Sequence, residues 1–334
     1  MKHQLIILSA ILLITTIGIR LERSVRSLPV MGSVVSAAIE VPVIEDAVEF
    51  VRPTAHLEPA PTQAILRPAL PEALEKSLTN KSFLIMNEDT GEILQERQST
   101  VPMPLASLTK LLAAIVVVDH VQDWKAMVEI LPEDIREGEQ VVDLGNRLTF
   151  ADLFAATLIR SSNTGMMALG RVVGLSSKQL TSEMNALAQQ WGLSTTVITD
   201  PTGLIPTTVG SALDIGVILQ KALERPEIRS VISKPQYTWP FYDRTGKIVR
   251  HKRVINTNEL IHPKAMQGDL TIEGGKTGFI PEAQYHVAVA AQSVQGHRFI
   301  VVVLGAKTFD ARFQEARAIL EWINSTLPIP SNQT

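Results

Sequence analysis

Three short segments of the chain hold side chains suited to nucleophilic acyl transfer. In Ser107-Leu108-Thr109-Lys110 a hydroxyl and an amine stand three residues apart at the head of an apolar stretch, LLAAIVVVDH, behind Pro102 and Pro104. On a helix that spacing puts both groups on one face, close enough for proton transfer. A serine at a helix start also has unpaired backbone N–H groups beside it, which suit a developing oxyanion. Ser161-Ser162-Asn163 falls between two helical stretches, where a hydroxyl and an amide can face one ligand. Gly274-Gly275-Lys276-Thr277-Gly278 ends one strand just before another; its glycines permit close backbone approach and its lysine offers a cation. Each segment alone has an ordinary explanation: a chance S-x-x-K with a capping serine, a polar turn, and a hairpin turn.

Composition narrows the alternatives. The chain has 334 residues, 31 basic and 34 acidic, and a net charge of −3, so it has no general bias towards nucleic acid, whose binding needs many phosphate-neutralising cations. No nucleic-acid partner is expected. With no cysteine there is no thiolate nucleophile, disulfide or Cys-based zinc site, and any nucleophile must be oxygen or nitrogen. No G-x-S-x-G or H-E-x-x-H occurs, and the seven histidines are scattered, so neither a metal nor a cofactor is expected. His286, inside an apolar strand, reads as a packing or surface residue.

The elements that must position these groups follow from periodicity. SFLIMN (82–87) and EILQER (92–97), joined through Gly91, read as a hairpin. Apolar residues three or four apart give helices over 105–120, 149–159, 164–173, 178–191 and 211–223. The period returns to two over 237–241, 248–255, 270–275, 285–292 and 298–304, before a last helix over 310–323. A lone hairpin is marginal, so the first pair is expected to complete the sheet of the later strands, mostly antiparallel, with the last helix on one face and the central helices on another.

Ahead of this region, Leu5 to Ile19 is an uncharged apolar run behind Lys2, about 15 residues and roughly 22 Å long as a helix. No A-x-A-like cleavage pattern follows it closely, so residues 1–22 read as an uncleaved membrane anchor, with a removed signal as the alternative. Arg20, Arg23 and Arg26 outnumber Lys2 and oppose export of that flank under the positive-inside rule. Residues 23–75, with seven prolines and no sustained period, read as a tether, and 76–327 as the catalytic domain.

The order S-x-x-K, S-x-N, K-T-G is that of the penicillin-recognising serine hydrolases. The stretches MPLASLTKLLAAIVV, TDPTGL, ALDIGVILQKAL, INTNEL, GGKTGFIPEAQYHVAVAA and VVVLGAKTFDAR resemble the D-alanyl-D-alanine carboxypeptidase and endopeptidase family, the low-molecular-mass penicillin-binding proteins. The resemblance runs from about Lys81 to Ile323. It implies an α/β (α+β) fold of β-lactamase/transpeptidase type, a mostly antiparallel sheet flanked by helices with an all-helical subdomain. It also implies a serine-type peptidase acting on peptidoglycan stem peptides and acylated by β-lactams. Ser107 would be the acylated nucleophile, Lys110 its base, kept neutral by burial and a neighbouring cation, Lys276, and Ser161 a proton relay. Asn163 would hold the peptide, the N–H groups of Ser107 and Phe279 the oxyanion, and Thr277 with Arg312 the terminal carboxylate beside Lys276 and Gly278. The resemblance places the protein at the extracytoplasmic face of the bacterial membrane, or in the periplasm or medium if the leader is cleaved.

Some positions depart from the family. Ser162 replaces the glycine of S-G-N, which is tolerated if that residue needs no positive φ, and a second glycine common near Gln284 is missing. The short stretch after the last helix leaves no room for the added β domain of some carboxypeptidases, which suggests the endopeptidase type. A class A β-lactamase is disfavoured by the absence of an E-x-x-L-N segment, and a silent wall-binding module by the presence of Ser107, Lys110, Asn163 and Lys276.

Overall fold

The computed structural model describes residues 69–138, 141–262, 265 and 269–327. The expected anchor and the tether up to residue 68 lie outside them. The first described element, α1 (Glu72–Ser77), straddles the boundary expected at 75/76. Leu70 and Leu74 pack against the core, so the folded part begins slightly earlier than the period suggested.

The hairpin forms as expected: β1 (Ser82–Asn87) pairs with β2 (Ile93–Arg97), and Gly91 turns the chain at φ +73°. A short strand, β3 (Met103–Pro104), then leads through a 3-10 turn at Ala106–Leu108 straight into α2 (Thr109–His120). Thr109 to Val117 are all buried, which makes α2 the central helix of the helical part. Around it lie β4 (Met127–Glu129), β5 (Arg147–Thr149), α3 (Phe150–Arg160), α4 (Asn163–Val172) and α5 (Ser177–Gln190), then β6 (Val209–Gly210) and α6 (Ala212–Leu223). Thr149, Ser162, Ser176 and Ser211 cap the helices that follow them, each accepting from an N–H in the first turn. Helix α7 (Pro226–Ile232) was not legible from the period, because seven residues give too few repeats.

Next come β7 (Gln236–Tyr242), β8 (Ile248–Ile255), β9 (Leu270–Ile280), β10 (Gln284–Ser293), β11 (Arg298–Ala306) and α8 (Phe309–Thr326). The main sheet has the order β2-β1-β11-β10-β9 with antiparallel neighbours, so the first hairpin does complete the later sheet. Alternation along its strands sends Leu84, Met86, Ala288, Ile300 and Val302 into the core shared with the central helices. Phe83, Ile85, Val287, Val301 and Val303 face the other way, onto Phe313, Ala316 and Leu320 of α8. Burial on both faces explains why the strand sequences read as continuous apolar runs.

Two expectations need correction. Strands β7 and β8 do not join the main sheet; they pair with each other, and Trp239 and Phe241 anchor them in the core shared with the helices. The strand expected to end at 275, β9, runs on through the K-T-G segment to Ile280, with Lys276 opposite Ala288 and Gly278 opposite His286, and the turn comes only at residues 281–283. K-T-G therefore lies on the edge strand of the sheet, a straight wall rather than a bend.

Candidate active site

Ser107 sits in the 3-10 turn ahead of α2, held from three sides. His286 Nδ1 accepts from Gly305 N–H at 2.9 Å, so its proton is on Nε2, which donates to Pro104 O at 2.9 Å. Burial pushes this imidazole down to about 4, so it is a neutral brace pinning the chain before Ser107 to the sheet. Gly203 closes in as only glycine can, and Gly278 leaves little room for a Cβ. A Cβ on Gly203, at φ +78°, would lie 1.8 Å from Ala106 O, and one on Gly278 would crowd Leu105 O at 3.1 Å and Ser107 N at 3.3 Å.

Lys110 Nζ is fully buried and has three hydrogen-bond partners: Ser107 Oγ at 2.8 Å, Asn163 Oδ1 at 2.6 Å and Thr202 O at 2.7 Å. Two of these are carbonyl oxygens that only accept. A neutral amine gives them its two N–H bonds and is left with a lone pair directed at the Ser107 hydroxyl. Burial pushes this amine down to about 7, against the pull of the Asp200 carboxylate. Asp200 also shapes the turn, accepting from Thr202 N–H at 3.0 Å, Thr202 Oγ1 at 2.6 Å and Ile205 N–H at 3.2 Å.

The S-x-N segment reaches the same point from α3 and α4. Ser161 takes the left-handed conformation, φ +65°, that ends α3, while Ser162 at φ −67° is the cap of α4. The departure from S-G-N is thus harmless, because the positive φ falls one residue earlier. Asn163 Nδ2 donates to Glu137 O at 2.7 Å, which turns its oxygen towards Lys110. The segment expected to hold substrate therefore also positions the base.

From β9, Lys276 Nζ donates to Ser161 Oγ at 2.7 Å and to Thr277 O at 2.9 Å. Its amine is held well below the usual lysine range, first by burial, then by repulsion from Lys110 and Arg312. This corrects the expected division of labour: burial is the main cause of the low basicity of Lys110, and Lys276 is not an independent fixed cation. Thr277 Oγ1 donates to Thr257 Oγ1 at 2.7 Å. Phe279, 48% exposed, stacks on Tyr285 with centroids 4.4 Å apart. Arg312 is 4% exposed, lies 4.4 Å and 4.5 Å from the ring centroids of Phe309 and Phe313, and donates from Nη1 to Gly278 O at 3.5 Å. Burial pushes its guanidinium down to about 10.

A groove of about 1010 Å³ runs past these groups. Ser107, Ser161, Asn163, Thr277, Gly278, Phe279 and Arg312 line it, and the buried Lys110 and Lys276 bond to its lining serines from beneath. All nine residues singled out from sequence are brought together. Sequence reasoning missed Asp200, Thr202, Glu137 and the brace role of His286. The TDPTGL turn signal pointed at the first two, whereas Glu137 acts through its carbonyl and leaves no side-chain signature. No cluster of potential metal ligands occurs among the described residues.

Residues 70–308 match the family model described as D-alanyl-D-alanine carboxypeptidase. The chain belongs to that family. It is similar to the D-alanyl-D-alanine endopeptidase of Pseudomonas aeruginosa, 28% identical over 75% of this chain and 79% of that one. It is also similar to the D-alanyl-D-alanine carboxypeptidase DacA of Haemophilus influenzae, 27% identical over 73% of this chain and 62% of that one, so it spans about three fifths of that relative's length. The solved Streptomyces K15 DD-transpeptidase shares the fold, with a TM-score of 0.69, 24% identity and coverage of 74% of this chain and 98% of that one. Family and fold agree with the geometry: this D-alanyl-D-alanine peptidase is a serine hydrolase.

Proposed function

We propose that the protein hydrolyses the D-Ala-D-Ala amide of peptidoglycan stem peptides through an acyl-enzyme on Ser107, with β-lactams as acylating inhibitors. The observation that carries this is the Lys110 amine, 2.8 Å from Ser107 Oγ, with its other two hydrogen-bond directions taken by carbonyl acceptors. Lys110 Nζ takes the Ser107 proton as Oγ attacks, and the N–H groups of Ser107 and Phe279 receive the oxyanion. Lys276 donates to Ser161 Oγ, which leaves the Ser161 hydroxyl hydrogen free to reach the departing nitrogen. Lys276 then resupplies that proton. After acylation Lys110 is charged and Lys276 neutral, the reverse of the start. Water attack in the second step passes a proton back through Ser161 to Lys276, while Lys110 returns its proton to Ser107. The lysine pair carries one net positive charge in the free enzyme and again in the acyl-enzyme.

Thr277 and Arg312 hold the carboxylate beside the scissile bond. An incoming carboxylate raises the basicity of Lys276, and the charge so fixed makes neighbouring Lys110 a weaker proton holder. Asn163 bonds the substrate peptide as well as Lys110. The catalytic domain, which takes in the packed residues from Leu70 and helix α1 onward to 327, works outside the cytoplasm where its substrate lies, with residues 1–22 as anchor and the stretch between as tether. No helix among the described residues is long and apolar enough to cross a membrane, so the anchor role rests on the apolar run at 5–19.

The test is product analysis by mass spectrometry on uncrosslinked and crosslinked muropeptides. Release of D-Ala, or cleavage of the crosslink, is expected from the wild type and not from Ser107→Ala; no product from either substrate would refute the reading.

A further inference from the structure

The groove lining holds a second arginine besides Arg312. Arg317, on the same helix α8, lines the groove together with Glu259 and His262. Its Nε is buried without a hydrogen-bond partner, as is Arg312 Nε, and among the described residues neither arginine forms an ion pair. Glu259 favours the charge of Arg312 only at a distance. Arg317 is only half-buried, but its charge lines the groove with no carboxylate of the described residues bonded to it, and its planar fork of donors suits an anion that enters there. One substrate carboxylate, held by Thr277 and Arg312, answers Arg312 and leaves Arg317 unmatched.

The two candidate leaving groups differ in this respect. A terminal D-Ala brings one carboxylate and a methyl group. The acceptor strand of a crosslink brings the equivalent carboxylate on a longer aliphatic chain, followed by the acidic groups of its own peptide. The exposed rings of Phe279 and Phe309, 48% and 44% accessible, give the groove an apolar wall along which such a chain can lie.

We propose that Arg317 forms a second anion subsite on the leaving-group side of the groove, selecting leaving groups that carry a further carboxylate, the chemistry of a crosslinked acceptor peptide. The proposal rests on the reading that Thr277 and Arg312 hold the carboxylate next to the scissile bond. Arg317 is then a specificity-determining residue with no part in the proton transfers.

The experiment compares the full-length wild type, Arg317→Gln and Arg317→Lys on a short monomeric D-Ala-D-Ala peptide, on a crosslinked muropeptide dimer, and in acylation by labelled penicillin. In R317Q the dimer's kcat/KM should fall about tenfold or more, the size of a lost charge-assisted contact, mainly through KM. The monomer and penicillin rates should stay within about twofold, and R317K should recover most of the loss. Equal losses on all three substrates would show that Arg317 merely supports the fold, and would overturn the proposal. A wild type that cleaves both peptides, with R317Q matching it on the dimer, overturns the subsite alone. A wild type that is acylated by penicillin yet cleaves neither peptide overturns the reading beneath it, and the subsite with it.

Discussion

Lowering the pH should switch acylation off by protonating Lys110, and replacing Asp200 should move the point at which this happens. An ordinary lysine, at 10.5, is about 0.03% neutral at pH 7, whereas an amine held at about 7 is half neutral. Burial therefore supplies about a thousandfold more active base at that pH. Asp200→Asn keeps an acceptor for Thr202 and removes the carboxylate that opposes this depression. A lost attraction of ~1.4 kcal/mol, the scale of a partly screened pair, lowers the amine by about one further unit. The assay is the rate of adduct formation with labelled penicillin between about pH 5 and pH 9, by quenched flow. The wild type should show an acid limb centred near 7, falling tenfold per unit below it, and D200N the same limb at lower pH with an unchanged plateau. A wild-type rate that is flat from about pH 5.5 to 8, or a D200N limb displaced upward, would refute burial as the source of the base.

The same linkage appears in stability. The folded-state value of Lys110 lies below the unfolded one, so between about 7 and 10.5 the unfolded chain binds the extra proton, and stability rises with pH across that window. Denaturant titrations should show wild type gaining on the order of 4 kcal/mol relative to Lys110→Met from pH 7 to 10.5; parallel pH profiles would contradict it. Gly203→Ala, whose Cβ would meet Ala106 O at 1.8 Å, should displace the Ser107 turn and abolish penicillin labelling, and intact labelling would count against that close approach. Asp134→Ala removes a buried carboxylate that Arg171 grips at 2.8 Å and 2.7 Å, far from the nucleophile in sequence. It should cost about 3 kcal/mol in urea unfolding while the acylation rate per folded molecule stays unchanged; a slowed rate would make that pair part of the site.

Local geometry was legible wherever one helix or one strand sufficed. The Ser107–Lys110 face follows from 3.6 residues per turn, and the two-faced burial of β10 and β11 follows from their unbroken apolar runs. The K-T-G lysine was legible as a cation at a strand edge, but the strand was expected to end at 275, because glycines at 274, 275 and 278 interrupt the alternation that marks its continuation to Ile280. In the fold they are there for close approach: a Cβ on Gly275 would lie 2.4 Å from Ala288 O, and one on Gly274 2.8 Å from an Ile232 carbon. The separation of β7 and β8 from the main sheet was not legible, since alternation tells which residues share a face but not which strand lies next door. Nor was the grip of Glu137 O on Asn163, because any residue has a carbonyl.

Every step of the mechanism follows from acylation of Ser107 Oγ by way of Lys110. Peptide mapping by mass spectrometry after reaction with labelled penicillin tests this directly. One adduct per molecule is expected on the peptide that contains Ser107, and none in Ser107→Ala or Lys110→Ala. An adduct on another residue, or undiminished labelling of the Lys110→Ala variant, would contradict it.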